Sequence, residues 1–160
     1  MAYHDDLLDQ SLMLVQKEPR KPKQASLRRA VSTAYYALFH LLISACVANW
    51  KRQDLRPALG RAFDHSSMKS ASNRIQDKGL FPFRNEDPLV VANLRHVAKT
   101  FAQLQEQRHV ADYDNTKFWT KTEALSEVSA VQLAFQSWKK IATEPIAQAY
   151  LISLLVKRRD

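Results

Sequence analysis

Ser26–Trp50, SLRRAVSTAYYALFHLLISACVANW, decides the fold. The stretch holds neither Gly nor Pro, and a helix of its length reaches about 37 Å, enough to cross a small domain. Leu27, Val31, Ala34, Leu38, Leu41, Ala45 and Ala48 recur by fours and threes, the period of one helical face. Tyr36, His40, Ile43, Val47 and Trp50 make a second face with similar spacing. A helix that is apolar nearly all round has to be wrapped by others. The stretch therefore predicts the central helix of a bundle. Arg28 and Arg29 would sit badly in a first turn capped by Ser26, because the helix dipole disfavours cations there. Pro22 as the first helical residue would place them a turn further in.

Only two of the 160 residues are Gly, Gly60 and Gly79. That leaves few of the positive-φ positions on which β-hairpins turn. Residues 1–160 suit a single domain with a real core, and 46 % hydrophobic with 25 % charged residues is an ordinary globular balance. Upstream of the central stretch, His4–Lys17 predicts a helix with Leu8, Leu12 and Val15 inward and Asp5 and Asp6 in its first turn. The basic connector Pro19–Lys23 follows. Downstream, Arg56–Ala62 predicts a short helix. Asp64 caps the next one, HSSMKSASNRIQ, with Phe63 and Met68 at hydrophobic-staple spacing. Its polarity predicts weak packing at the bundle surface and mobility.

Asp77–Asp87, with Gly79 and Pro82, reads as a loop. Asp87 and Pro88 open a helix as cap and first residue. Val90, Leu94, Val97, Phe101, Leu104, Arg108 and Ala111 then form the clearest amphipathic stripe in the chain. It ends in RHVADYDN, where Asp112, Asp114 and Asn115 suit a turn. Thr120 and Glu123 have capping-box spacing, ahead of a helix carrying Val128, Val131, Phe135, Trp138 and Ala142. After a break at Thr143–Pro145, a last helix presents Ile146, Tyr150, Leu151, Leu154 and Leu155 and ends in KRRD, cations that suit a helix C-terminus. The sum is an all-α, up-and-down bundle of about five or six helices.

A net charge of +8 favours anionic partners such as RNA, DNA or a membrane surface; an excess of that size also serves solubility alone. Ala34–Trp50, interrupted by His40, Ser44 and Asn49, falls short of a membrane span. The N-terminus, MAYHDDLLDQ, lacks a signal-peptide layout. These features predict a cytoplasmic protein without a membrane partner. Cys46, the lone cysteine, reads as a small buried core residue. The five His show no ligand spacing and no CxxC or HExxH occurs, so no metal is expected. No Gly-rich phosphate loop is present, and no G-x-S-x-G surrounds Ser66 and Ser67. No cofactor is expected.

Arg108 is the residue out of place, because it occupies an apolar position of its stripe. A buried unpaired guanidinium costs several kcal/mol. Either it satisfies the last carbonyls of its helix or Asp112, or it forms an anion site, since a guanidinium grips phosphate oxygens bidentately.

RRAVSTAYYALFH in the long helix, the later DHSSM, and RHVADYD after an amphipathic helix together resemble the HEPN superfamily. The similarity is to its branch of small prokaryotic proteins with an AYYA-F-H helix and an Arg-x-x-Ala-Asp-Tyr turn, and it covers Arg28 to Asp114 in the family's order. It implies a helical bundle that forms a homodimer. Many members are metal-independent endoribonucleases, often toxins paired with a nucleotidyltransferase-type antitoxin, and others are non-catalytic RNA-binding or interaction modules. The family's catalytic signature is an Arg and, four to six residues on, a His that acts on the ribose 2′-hydroxyl while the Arg holds the phosphate. Arg108 matches the Arg. Tyr113, Asp114 or Asn115 stands where the His would be, and His109 follows Arg108 directly. A phenol is a poor base at neutral pH. The resemblance thus makes Arg108, Asp112, Tyr113 and His109 the candidate catalytic set, with Tyr36, His40 and His65 as a pocket wall. The plainer reading of the two histidines is a structural, hydrogen-bonded role. Two function classes lead, an RNA-associated protein of endoribonuclease type and a non-enzymatic dimerisation or partner-binding module, with electrostatic duplex-DNA binding by basic helices a third.

Overall fold

The computed structural model describes residues 1–77 and 81–157; Gly79 of the expected loop, and Arg158, Arg159 and Asp160 of the expected basic helix end, lie outside them. Among the described residues the chain is all-helical: α1 (Tyr3–Gln16), α2 (Gln24–Val47), α3 (Arg56–Gly60, entered through the 3-10 turn Gln53–Leu55), α4 (His65–Gln76), α5 (Pro88–Tyr113), α6 (Lys121–Ile141) and α7 (Pro145–Leu155). Six of the seven have eleven residues or more and build the bundle.

α2 is its axis and packs against α1, α3, α5, α6 and α7. Leu27, Val31, Leu38 and Leu42 are wholly buried on it, each contributing about 1.5–3 kcal/mol relative to exposure. α2 is also the one helix among the described residues long and apolar enough to cross a membrane, with a mean hydropathy of 1.6. Yet 67 % of that window is buried inside the bundle. It runs longer than the Ala34–Trp50 segment that the sequence suggests.

Its ends differ from expectation. Lys23 is the N-cap and makes no side-chain cap bond, so Pro22 stays outside the helix. Instead the side chain of Gln24, the first helical residue, is engaged with the backbone of Trp119: Gln24 Nε2 donates to the Trp119 carbonyl (2.7 Å) and the Trp119 N–H donates to Gln24 Oε1 (2.9 Å). At the other end the helix stops at Val47, and Trp50 is 50 % exposed rather than on an apolar face. Arg56 holds this end, donating to the carbonyls of Trp50 (2.9 Å) and Ala48 (3.0 Å). No described residue has positive φ, so the left-handed turns that usually satisfy C-terminal carbonyls are not used among them. A guanidinium does that work here.

α4 departs most from its sequence. It buries Met68, Ala71, Ser72 and Ile75 and packs on α5 and α7. The Ser72 hydroxyl is satisfied by the Met68 carbonyl (2.8 Å) and the Tyr150 hydroxyl (2.7 Å), which removes the cost of burying it. Its N-terminus is as expected, with Asp64 Oδ1 accepting from the Ser67 N–H at 2.7 Å and Phe63 and Met68 both in the core. The α5 stripe also folds as read, with Leu94, Val97, Phe101, Leu104, Arg108 and Ala111 buried and Val90, at its start, half-buried. α5 continues through Asp112 and Tyr113, which the sequence places in a turn.

Thr120 and Glu123 complete a capping box at the start of α6, each accepting the other's backbone N–H (3.1 and 3.3 Å). Thr120→Ala is expected to cost about 1 kcal/mol and to lower the thermal midpoint by about 3 °C. Urea titration and a thermal melt measure both.

Candidate functional site

Three helices bring side chains together at one place. α5 projects Arg108 from its core-facing stripe, one helical step beyond Leu104 and Phe101. α2 meets it with the consecutive rings of Tyr35 and Tyr36, whose centroids lie 5.3 and 5.8 Å from the guanidinium carbon. α4 begins with His65, whose position is set by the Asp64 cap, and its ring packs on Phe39 (4.5 Å, stacked) and Tyr36 (5.8 Å). The Tyr35 hydroxyl and His65 Nδ1 are 2.6 Å apart. Asp112 lies one turn after Arg108, and its Oδ2 is 3.6 Å from Arg108 Nη1 while accepting from the Ser32 hydroxyl at 3.3 Å.

Arg108 is nine-tenths buried, with 9 % of the residue exposed. Its Nε has no partner among the described residues, and the contact with Asp112 is too long for a hydrogen bond. A guanidinium carries five N–H donors. Here it rests on two ring faces with a loose carboxylate at its side, and its Nε donor is buried and unspent.

Burial governs the titrating groups nearby. The Tyr35 hydroxyl is pushed well above its ordinary value by burial, with Arg108 opposing the shift, so it is a neutral hydrogen-bonding group. His65 is held below the usual histidine value by burial first and by the Arg108 charge second, with Asp64 pulling the other way. His40 is lowered by burial and by His4 and His65. Because the folded state lowers these pKa values, the unfolded chain binds protons more readily. Stability is therefore fully present above the unfolded value near 6.5 and falls as pH drops through it toward the lower folded values. The thermal midpoint is expected to fall between pH 7.5 and 5.5, and His65→Gln to flatten part of that slope.

The predicted site residues thus separate into groups. Arg108, Asp112, Tyr36 and His65 share one cluster. His40 flanks it, packed between Tyr36 (6.5 Å) and Tyr3 (4.9 Å). His109 and Tyr113 do not join it: both are exposed, and their rings pair with each other at 5.0 Å on another face of α5. One residue along a helix turns a side chain by about 100°, which is why His109 faces away from Arg108. Cys46 is buried and its thiol is pushed up by that burial, which makes it a poor nucleophile. Among the described residues no group of three His, Cys, Asp or Glu side chains gathers.

Two features escape a reading of spacing alone. Tyr35, which looks like plain core, is the hub that links His65 to Arg108. Arg28 reaches across to the end of α5, where its guanidinium donates to the carbonyls of Ala111 (2.9 Å), Asp114 (2.8 Å) and Lys117. Beside it a groove of about 400 Å³ is lined by Ala25, Arg28, Arg29, Ala111, Asp112 and Tyr113. The only local sign of this was a pair of arginines set where a helix start disfavours them.

No family model, curated protein or solved structure matches this chain.

Proposed function

We propose that the chain is a HEPN-like, RNA-associated protein in which Arg108 receives a phosphate of the RNA backbone. One observation carries this reading: a nine-tenths buried guanidinium whose Nε has no acceptor among the described residues and whose neighbouring carboxylate stands beyond hydrogen-bond distance. A phosphate supplies two or three oxygens in the geometry such a fork requires, and the Tyr35 and Tyr36 faces favour the cation on which it would rest. The guanidinium would neutralise the phosphate without a metal. Cleavage would further need a base for the ribose 2′-hydroxyl. His65 is the imidazole of Arg108's own cluster, and its lowered pKa keeps it neutral at pH 7 as a base must be. On this reading the protein works in the cytoplasm as a homodimer, with a nucleotidyltransferase-type antitoxin as its regulator.

A second reading, a non-enzymatic dimerisation or partner-binding module, has the Arg108–Asp112 pair in its favour, because an arginine answered inside its own helix needs no ligand. The two are separated by incubating the protein with labelled single-stranded RNA in the presence of EDTA. Wild type is expected to retard or cut the RNA, and Arg108→Ala to do neither while keeping its helical circular dichroism. Equal behaviour of the two proteins toward RNA would sink the assignment of Arg108.

A further inference from the structure

We propose that the end of the bundle beside the Arg28–Arg29 groove is a stacking and phosphate-tracking face for single-stranded RNA, with Phe118 and Tyr113 taking bases and Arg20, Lys21, Lys23 and Arg29 taking the backbone. The inference rests on the reading that the chain associates with RNA, and it names where the strand lies beyond Arg108.

Phe118 lies in the connection between α5 and α6. Its neighbours are fixed on both sides: the Lys117 carbonyl accepts from Arg28, and both backbone groups of Trp119 are paired with the Gln24 side chain. Trp119 itself is 1 % exposed, whereas Phe118 is 72 % exposed. The backbone is pinned, so the phenyl ring cannot fold back into the core. It is an apolar plate held out in water. Tyr113, at the end of α5 and on the rim of the groove, is 66 % exposed with the His109 ring against it. Two aromatic surfaces therefore stand at the same end of the molecule.

The charges there are unanswered. Arg20, Lys21, Lys23 and Arg29 are all exposed and no ion pair is formed by any of them among the described residues. The α1–α2 connection that carries the first three is tied to α2 by the Ser26 hydroxyl, which donates to Glu18 at 2.8 Å. Of the carboxylates at this end, Asp112 faces Arg108 and Glu123 pairs with Lys117, while Asp114 and Glu18 accept from the neutral hydroxyls of Thr116 and Ser26 and keep their charge. The four exposed cations outnumber Asp114 and Glu18, so the surface is cationic on balance, with aromatic plates in it. An acidic peptide would use the cations and leave the rings idle. A duplex hides its base faces. An unpaired strand uses both, because every base has a face that stacks and every linkage has a phosphate. The groove adjoins the cluster already described, since Asp112 lines the one and belongs to the other.

The test is fluorescence anisotropy with a short labelled single-stranded oligoadenylate, alongside the same sequence as a duplex. Phe118→Ala is expected to weaken binding about tenfold and Phe118→Trp to restore it. The triple substitution Arg20→Gln, Lys21→Gln, Lys23→Gln should lower the slope of log affinity against log salt by about 2. The duplex should bind more weakly than the single strand. Circular dichroism of each variant should match wild type, since all four side chains lie outside the core. Unchanged affinity for Phe118→Ala overturns the proposal. So does polyglutamate competing as well as RNA, or a change of oligomeric state in Phe118→Ala with RNA affinity per chain unaltered. These outcomes are distinct from failure of the underlying reading. If wild type binds no RNA, that reading falls and takes this face with it. If Arg108→Ala loses RNA while the Phe118 and triple variants bind normally, Arg108 stands and only this face is wrong.

Discussion

Arg108→Met is expected to lose RNA binding by at least a hundredfold while its thermal midpoint stays within about 4 °C of wild type, a stability change of about 1 kcal/mol or less. The two halves of this result have different causes. Binding fails because methionine offers no donor to a phosphate, and among the described residues Arg108 is the cation that rests on the Tyr35 and Tyr36 rings. Stability holds because a buried guanidinium with an orphaned Nε contributes little net stabilisation to begin with, and an apolar side chain of similar length is often neutral or better in such a position. Asp112 loses its partner but keeps the Ser32 hydroxyl and 23 % exposure to water. A residue kept for folding would behave in the opposite way, with a collapse of the midpoint on substitution. Equilibrium binding with a parallel melt decides between them, and a large drop in the midpoint with RNA affinity intact would show that Arg108 is structural.

The second large effect is on stability. Arg28→Ala is expected to cost about 3 kcal/mol and to lower the thermal midpoint by roughly 9 °C. Three carbonyls depend on that guanidinium. Two belong to the end of α5, where no left-handed turn satisfies them in its place. Hydrogen bonds from a charged donor are each worth about 1.5–3 kcal/mol, and water can replace part of that at a half-buried site. Arg28→Lys keeps the charge near the helix terminus but has no fork to span three acceptors, so it should recover less than half of the loss. Hydrogen exchange at the backbone of residues 114–119 should rise selectively in both variants. Uniform change across the chain, or none, would contradict the assigned role.

What the sequence made legible was what local chemistry encodes. The α5 stripe, the Asp87–Pro88 start, the Thr120–Glu123 box and the Phe63–Met68 staple are patterns of spacing within a few residues, and each folds as read. The start of α2 was legible only in part: Arg28 and Arg29 placed it before Ser26, where it lies, but not at Gln24. Lys23 gives no capping signal, and the helix begins there because Gln24 meets Trp119, 95 residues away. The end of α2 was missed for the same reason, as it is held by Arg56 rather than by a glycine. α4 looked too polar to pack because its buried face is made of Ala71 and Ser72 as much as of Met68 and Ile75. The site divided likewise. Arg108 announced itself as a charge in an apolar row. Its companions Tyr35 and His65 come from two other helices, and no periodicity within one helix can say which tyrosine meets which histidine.

The clamp at the end of α5 has a kinetic consequence. Its bonds join residues 83 to 95 positions apart. Closing so long a loop is costly before other contacts have formed, so these bonds are expected to form late in folding, after α2 and α5 have paired. Interactions absent from the folding transition state govern how fast the native state opens, not how fast it forms. The arginine and the glutamine at the start of α2 therefore act as a latch on the lifetime of the folded molecule. With about 3 kcal/mol placed there, removing Arg28 should shorten that lifetime on the order of a hundredfold while refolding proceeds at its usual pace.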